Sequence, residues 1–377
     1  MNIENNKISG RQLGRLAFHD LFALTTLVLP GILAKTAGMD GAFALAFGSA
    51  VGFGQLFLVL VQIRRMRQKG QDYLTYLREC FGSFLTAVIL IVYLLAALFG
   101  AAYGLRLLCD IARQYLIRDI PAWLVLAIPV LLAVYGLSSG TESRGRMYEI
   151  VFWLVLVPLF LLFCLAARNV EPERWVPVFR AEGWKMLKSS YLVFVFFSGM
   201  TGLPMLAECV LPHTDTARVL KQSFWLGVCI NMVLYLLLTG IFGAPTVATM
   251  DEAALTLTAM VKVQGGFFER QDALLCGIWL VSIFAFVENT FFYMEWCMKR
   301  LGGSRARGWT LSLTGLTAYV LAVLMYRSKD LTSQLSDIYA RIAVPVLVGI
   351  TVVACILPIW KNKKKLRGSA GYKEENR

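Results

Sequence analysis

Two apolar segments of the chain are interrupted near their middles by proline and glycine, and such interruptions can create a binding site. The first, Thr25–Gly31, contains Pro30, and the second, Ser198–Pro204, contains Gly199 and Gly202. Proline removes a backbone donor and glycine weakens a helix, so N–H and C=O groups are left free there. Helix N-termini suit a carboxylate, and C-terminal ends suit an ammonium group. The pair therefore predicts a site for a zwitterion such as an amino acid, although each proline is also compatible with a packing kink.

Hydroxyl groups lie at both interruptions and are candidate ligands of the same small molecule. Thr26 belongs to the first, and Ser198 and Thr201 belong to the second. In the third apolar segment, Tyr103 is a candidate hydrogen-bond partner. Arg106, near the outer end of that segment, is expected to extend to lipid headgroups rather than to clamp a carboxylate.

A carboxylate, Glu288, falls near the middle of the eighth apolar segment, beside Asn289. Charge at that depth is costly, so such an acid is expected to bind a substrate ammonium or carry a proton. The alternative is an ion pair, or a protonated acid, bonded to a neighbouring helix. His19 and Asp20 in the first segment suit a proton path less well, because adjacent residues point in different directions on a helix. They are interpreted as polar groups at the cytoplasmic edge of the bundle.

The composition is that of a polytopic membrane protein and not of a soluble domain. Of 377 residues, 58% are hydrophobic and 16% are charged, and the mean hydropathy is +0.63. The net charge of +13 does not indicate nucleic acid, because the basic residues form short clusters between apolar runs. A membrane-spanning helix needs about 20 apolar residues. Ten spans are predicted: Leu13–Lys35, Ala42–Ile63, Ser83–Leu107, Ala122–Leu137, Tyr148–Ala167, Lys188–Val210, Ser223–Phe242, Ala273–Lys299, Trp309–Tyr326 and Arg341–Trp360.

The distribution of basic residues predicts the orientation. With the N-terminus inside, 23 of the 37 Lys and Arg residues lie on the inner side, so both termini are expected to be cytoplasmic. The chain is interpreted as one membrane domain over 1–367, with halves of about 11–167 and 186–360, and a cytoplasmic tail over 368–377. The inner segment Gly70–Cys80 predicts an interfacial helix. A short helix is expected over Met250–Val263 in a long outer connection.

No motif in the sequence indicates an enzyme, a metal site or a cofactor. The eight cysteines are scattered without a CxxC pair, and there are two histidines. HExxH, GxSxG and P-loop motifs are absent. Gly48, Gly52 and Gly54 in the second span are interpreted as helix-packing residues and not as a phosphate loop.

The chain resembles a known family of membrane proteins. The resemblance rests on ten spans, the opening segment Ile8–Leu13, Leu29-Pro30 at the first interruption, and the entry to span 8, Glu269–Leu274, followed by Ile278, Trp279 and Phe284. These features resemble the B subunit of bacterial spore germinant receptors, over about residues 8–360. That family belongs to the amino acid–polyamine–organocation transporter superfamily. The resemblance implies an all-α fold with a five-plus-five inverted repeat and broken helices 1 and 6.

The resemblance also implies a site, partners and a location. The pocket would lie between spans 1, 3, 6 and 8 and bind a small germinant, expected to be an amino acid. The implied partners are an A subunit and a C-subunit lipoprotein, in the spore inner membrane. A Gly-x-Glu-like element common in the superfamily is missing after Gly202, where Leu203 and Pro204 follow and the acid, Glu208, comes later. The implied pocket residues are Leu29, Pro30, Gly31, Tyr103, Ser198, Gly199, Thr201, Gly202, Phe284 and Glu288.

Three functional hypotheses follow from the sequence. The preferred one is a germinant-sensing subunit, in which ligand binding favours one arrangement of the broken helices. The second is an amino acid transporter coupled to H⁺ or Na⁺. The third is a structural membrane scaffold with a vestigial pocket.

Overall fold

The computed structural model describes residues 7–250, 252–260, 271–303 and 309–358, and of residues 259–260 and 271–275 it describes the backbone alone. Long helices account for almost all of these residues. The helices are α1 Gly10–Ala37, α2 Gly41–Gln68, α3 Tyr73–Phe81, α4 Ser83–Tyr115, α5 Ala122–Ser138, α6 Thr141–Ala166, α7 Gly183–Phe197, α8 Leu203–Ala207, α9 Thr216–Phe242, α10 Ala244–Val247, α11 Ala253–Met260, α12 Gln271–Gly302, α13 Thr310–Arg327, α14 Lys329–Ile338 and α15 over 344–358.

The helices agree with the ten predicted spans. Eight helical runs are long and apolar enough to cross a membrane; one of them, Gly10–Gln68, contains both α1 and α2, and α5 is a shorter apolar helix of 17 residues. Large apolar side chains point outward, such as Phe84 (80% exposed) and Ile150 (72%), while Asp20, Arg144 and Glu288 are buried. An apolar exterior around a polar interior is the arrangement expected of helices in lipid.

The first span differs from the prediction, because α1 runs through Pro30 without a gap. Proline fixes φ near the helical value, so it fits the helix while removing one backbone bond. The hydroxyls of Thr25 and Thr26 donate to the carbonyls of Leu21 (2.5 Å) and Phe22 (2.8 Å), one turn earlier. Such side-chain bonds help membrane helices tolerate proline. The expected interruption of span 1 is thus a proline inside a continuous helix.

The sixth span is interrupted as predicted. The α-helix α7 ends at Phe197, a 3₁₀ segment follows over Ser198–Gly202, and α8 resumes the span at Leu203. The Ser198 hydroxyl donates to the Val195 carbonyl of α7 at 2.6 Å, and the Thr201 hydroxyl donates to the Ser198 carbonyl within the segment at 3.0 Å. Glycine at two of its five positions and the proline that follows weaken the regular helix here.

The last span contains an irregularity that the sequence did not indicate. A π-helical turn over Tyr339–Ala343 separates α14 from α15. The turn places the Tyr339 ring 4.7 Å from the Phe99 ring of α4, and its hydroxyl 3.2 Å from that of Ser198. Single π-turns within helices occur frequently at functional sites.

Close packing between α2 and α7 depends on glycine. A Cβ at Gly48 would lie 2.5 Å from the Ser190 carbonyl oxygen, and a Cβ at Gly52 would lie 3.3 Å from the Phe197 ring. Both positions therefore pack helices, as expected. A Cβ at Gly54 would have no neighbour within 4 Å, so the structure does not support the prediction that Gly54 packs against another helix.

The predicted helices outside the spans are largely present. The interfacial helix α3 matches the expectation for Gly70–Cys80. In the outer connection, α11 lies within the predicted Met250–Val263, whose residues 251 and 261–263 are outside the described part of the chain. Residues 269–270, part of the segment that resembles the germinant-receptor family, and the predicted tail over 368–377 are also outside it.

Candidate ligand site

A cavity lies beside the 3₁₀ segment of span 6, between α1, α4, α12 and the last span. Its volume is about 60 Å³. A water molecule needs roughly 10–15 Å³ of such space, so the cavity holds a small group of atoms. Its walls are formed by Asp20, Tyr93, Ala96, Ala97, Gly100, Gly199, Thr201, Gly202, Met205, Phe286, Thr290, Tyr293, Tyr339 and Leu347.

Asp20 is the charged group in this wall. Its side chain is buried, with 6% of the residue exposed. The Tyr293 hydroxyl donates to one carboxylate oxygen at 2.7 Å, and the Asn289 amide donates to the other at 2.9 Å. These two bonds from α12 fix the orientation of a carboxylate that belongs to α1.

A second charged pair lies behind Asn289. The Nε atom of Arg144, on α6, donates to Glu288 at 3.0 Å, and one Nη atom donates to the Asn289 side-chain oxygen at 2.9 Å. Both ionic side chains are nearly inaccessible, at 3% and 1% exposure. The Arg144 guanidinium also lies 5.0 Å from the centre of the Phe292 ring. Asn289 thus links the Arg144–Glu288 ion pair to Asp20 without direct contact between Arg144 and Asp20.

The residues predicted in span 6 lie at the cavity. Gly199, Thr201 and Gly202 form part of the wall. Ser198 adjoins them through its contact with Tyr339. A Cβ on Gly202 would lie 3.0 Å from the Tyr293 ring, so glycine is needed there for close approach of the two spans.

The residues predicted in span 1 pack against other parts of the bundle. The Thr26 hydroxyl accepts a bond from the Trp279 indole at 3.2 Å. Leu29 and Pro30 are buried in α1, and a Cβ on Gly31 would lie 2.9 Å from the Met250 carbonyl oxygen. In the described residues these four do not form part of the cavity wall.

The remaining predicted residues also lie away from the described cavity wall. The Tyr103 ring lies 5.8 Å from that of Phe99, and Phe284 is partly buried against the core. Glu288 takes the alternative arrangement considered from the sequence, an ion pair with a neighbouring helix. That partner, Arg144, precedes the predicted span Tyr148–Ala167, and the structure begins α6 earlier, at Thr141.

Sequence reasoning missed three residues of the site, Asp20, Tyr293 and Tyr339. Asp20 was interpreted as an edge residue, although an acid inside an apolar span is itself a signal of function. Tyr293 lies on α12, four residues after Asn289, so both reach the same carboxylate from one helix face. Tyr339 carried no signal, because its position depends on the π-turn.

A carboxylate also joins several elements at the predicted inner end of the bundle. Glu208, directly after α8, accepts bonds from the Tyr73 backbone N–H of α3, from the Trp296 indole (3.0 Å) and from Arg300 (2.7 Å). Nearby, Ile8 and Val210 form a parallel bridge that ties the start of span 1 to the end of span 6. Glu208 therefore links the end of α8 to α3 and α12.

At the predicted outer end, Asp40 holds the connection before α7. Its two oxygens accept the backbone N–H groups of Phe179 (2.6 Å), Arg180 (2.7 Å) and Ala181 (2.7 Å). Asp40 thus anchors three consecutive backbone groups of that connection.

The side chains of the wall can recognise a ligand through charge, hydrogen bonds and aromatic contacts. One acid, four aromatic rings and two threonines form the polar and polarisable part of the wall. The described residues contain no group of three or more His, Cys, Asp or Glu side chains that could hold a metal ion.

These features define an integral membrane protein of a transporter fold with a small internal cavity. A solved structure of a Na⁺-coupled sialic acid symporter in a substrate-bound, outward-open state has the same fold, with a TM-score of 0.64 over 93% of this chain and 79% of that chain. The identity is 12%, so the likeness shows the fold alone. It confirms the predicted all-α transporter fold.

Sequence comparison gives the family. The profile of the spore germination protein family matches residues 7–330, and the chain belongs to that family. Spore germination protein YndE of Bacillus subtilis is 21% identical over 95% of this chain and 98% of its own length. Spore germination protein A2 of the same organism is 20% identical over 72% and 74%, and spore germination protein GerLB of Bacillus cereus is 23% identical over 74% and 75%.

Proposed function

We propose that this protein is the germinant-sensing membrane subunit of a spore germinant receptor. The observation that carries the proposal is a cavity at the interruption of span 6 in a chain of the spore germination protein family. The ligand is a small amino acid that enters this cavity. The protein works with an A subunit and a C-subunit lipoprotein in the spore inner membrane, with both termini cytoplasmic.

The fold suggests how binding becomes a signal. Span 6 carries the cavity wall at Gly199–Gly202 and continues, through α8, to Glu208. Glu208 contacts α3 and α12, so a shift of span 6 on binding changes the surface formed by these helices. A ligand shifts the balance of two arrangements only by its difference in affinity for them. The partner subunits respond to the arrangement of these helices that ligand binding favours.

A second candidate is an amino acid transporter coupled to H⁺ or Na⁺. The likeness to a Na⁺-coupled symporter supports it, because the same fold carries out transport in that protein. The two candidates share the binding site and differ in whether bound ligand crosses the membrane.

Binding is tested with purified protein in nanodiscs and a panel of amino acids in a thermal-shift assay. A cavity-filling variant, Gly199→Leu, should abolish the shift, since Gly199 lies in the wall and a Cβ there meets no atom within 4 Å. Gly54→Leu is the matched control, because that position is equally open and lies outside the cavity wall. An unchanged shift in Gly199→Leu would refute the assignment of the pocket.

Transport is tested with the same protein in liposomes. A sensor should show no sustained uptake of labelled amino acid under a proton or sodium gradient. Concentrative uptake that depends on either gradient would instead support the transporter.

A further inference from the structure

The geometry points to Asp20 as the group that recognises a primary ammonium in the ligand. This inference rests on the proposed function and names the chemical class that the cavity selects. Asp20 is the only acid among the described residues of the wall, and no Lys, Arg or His lies beside it there.

Among the described residues, no cationic side chain makes a hydrogen bond or ion pair with this acid. Arg144 is bonded to Glu288, and it reaches Asp20 only through the neutral amide of Asn289. His19, the neighbour of Asp20, is buried, and neither of its ring nitrogens has a hydrogen-bond partner. Two carboxylates therefore face one guanidinium in this part of the bundle. A buried charge is costly unless it is paired, so the Asp20 carboxylate favours the binding of a cationic ligand group beside it.

The carboxylate also has free capacity for hydrogen bonds. An ionised carboxylate offers about four acceptor positions. Tyr293 and Asn289 each donate one bond to it. The remaining positions can accept the N–H groups of an ammonium that enters the cavity, and charge-assisted bonds of this kind are short and strong.

The rest of the wall suits the same group. Tyr93, Phe286, Tyr293 and Tyr339 supply aromatic rings, whose faces attract cations. A ligand that is only an anion would bring its charge close to Asp20 with no basic side chain in the described wall to offset it. The cavity therefore selects amino acids and amines over hydroxy acids.

The first experiment varies the ligand and leaves the protein unchanged. Binding to wild-type protein in nanodiscs is measured by calorimetry for L-alanine and L-valine, for their amides, for the matching hydroxy acids and for methylammonium. The two amino acids and their amides carry the ammonium group and should bind. Each hydroxy acid should bind at least about tenfold more weakly than the matching amino acid. Equal binding of a hydroxy acid and its amino acid would overturn the inference.

The second experiment removes the charge from the protein. Asp20→Asn should weaken L-alanine binding at least about tenfold, and Asp20→Glu should retain more of it. Asp110→Asn is the matched control, since Asp110 lies on α4, pairs with Arg106 at 3.3 Å and is not part of the cavity wall. Wild-type affinity in a folded Asp20→Asn protein would overturn the inference. If Asp20→Asn does not fold, the ligand series decides the question.

The two proposals fail in different ways. If Gly199→Leu abolishes amino acid binding while Asp20→Asn does not weaken it, the pocket stands and the role of Asp20 is refuted. If none of the ammonium compounds binds to wild-type protein, both the amino acid pocket and the role of Asp20 are refuted.

Discussion

Neutralising Glu288 is expected to destabilise the protein strongly. The substitution Glu288→Gln leaves the Arg144 guanidinium at 3% side-chain exposure without its carboxylate. At the 3.0 Å separation of the pair, the Coulomb attraction is about 5.5 kcal/mol for an effective dielectric constant of 20. Loss of one partner from a buried pair costs about 3–5 kcal/mol, because the other charge stays buried. We expect a loss of that size in the free energy of unfolding.

The measurement is a double-mutant cycle in mixed micelles, with unfolding followed by SDS titration. Glu288→Gln, Arg144→Gln and the double variant give the coupling energy of the pair. We expect the double variant to be more stable than the sum of the two single effects predicts, by at least about 2 kcal/mol, because it leaves no unpaired charge.

A control pair on α6, the helix that carries Arg144, separates the effect of burial from that of charge. Arg146 and Glu142 form an exposed pair on α6, with side-chain exposures of 72% and 42%. Glu142→Gln should cost less than about 1 kcal/mol. If Glu288→Gln costs no more than this control, the reasoning is refuted. If Glu288→Gln is stable yet loses amino acid binding, the ligand role predicted from the sequence is restored.

Three further substitutions test helix packing and the two end contacts. Gly48→Ala should destabilise the protein by about 1–3 kcal/mol, because its Cβ would lie 2.5 Å from a backbone oxygen of α7. As the control, Gly54→Ala should be neutral or stabilise the protein by up to about 1 kcal/mol. Equal effects of the two substitutions on the free energy of unfolding would contradict the packing role of Gly48. Glu208→Gln should speed amide hydrogen exchange in α3 at least about tenfold, since a charge-assisted bond contributes about 1.5–3 kcal/mol. Asp40→Asn should do the same for the amides of residues 179–181, which it binds. Unchanged exchange in either variant would show that other contacts hold that segment.

The sequence by itself determined the membrane class, the ten spans and the interruption of span 6. These features depend on local properties: apolar length, the missing N–H of proline and the weak helix preference of glycine. The positions of Gly199, Thr201 and Gly202 at a cavity followed from the same local signal. The family could also be inferred, because its features are spread along the chain.

The tertiary structure decided which polar groups meet. Pro30 marked a possible break, but Thr25, Thr26 and the packed neighbours of α1 keep that helix continuous. Glu288 and Asp20 were both acids within spans, and nothing local indicated that Arg144 would pair with the first. Their roles depend on how α1, α6 and α12 cross, since contacts between residues more than a hundred positions apart are set by packing. That crossing leaves Asp20, and not Glu288, at the cavity wall.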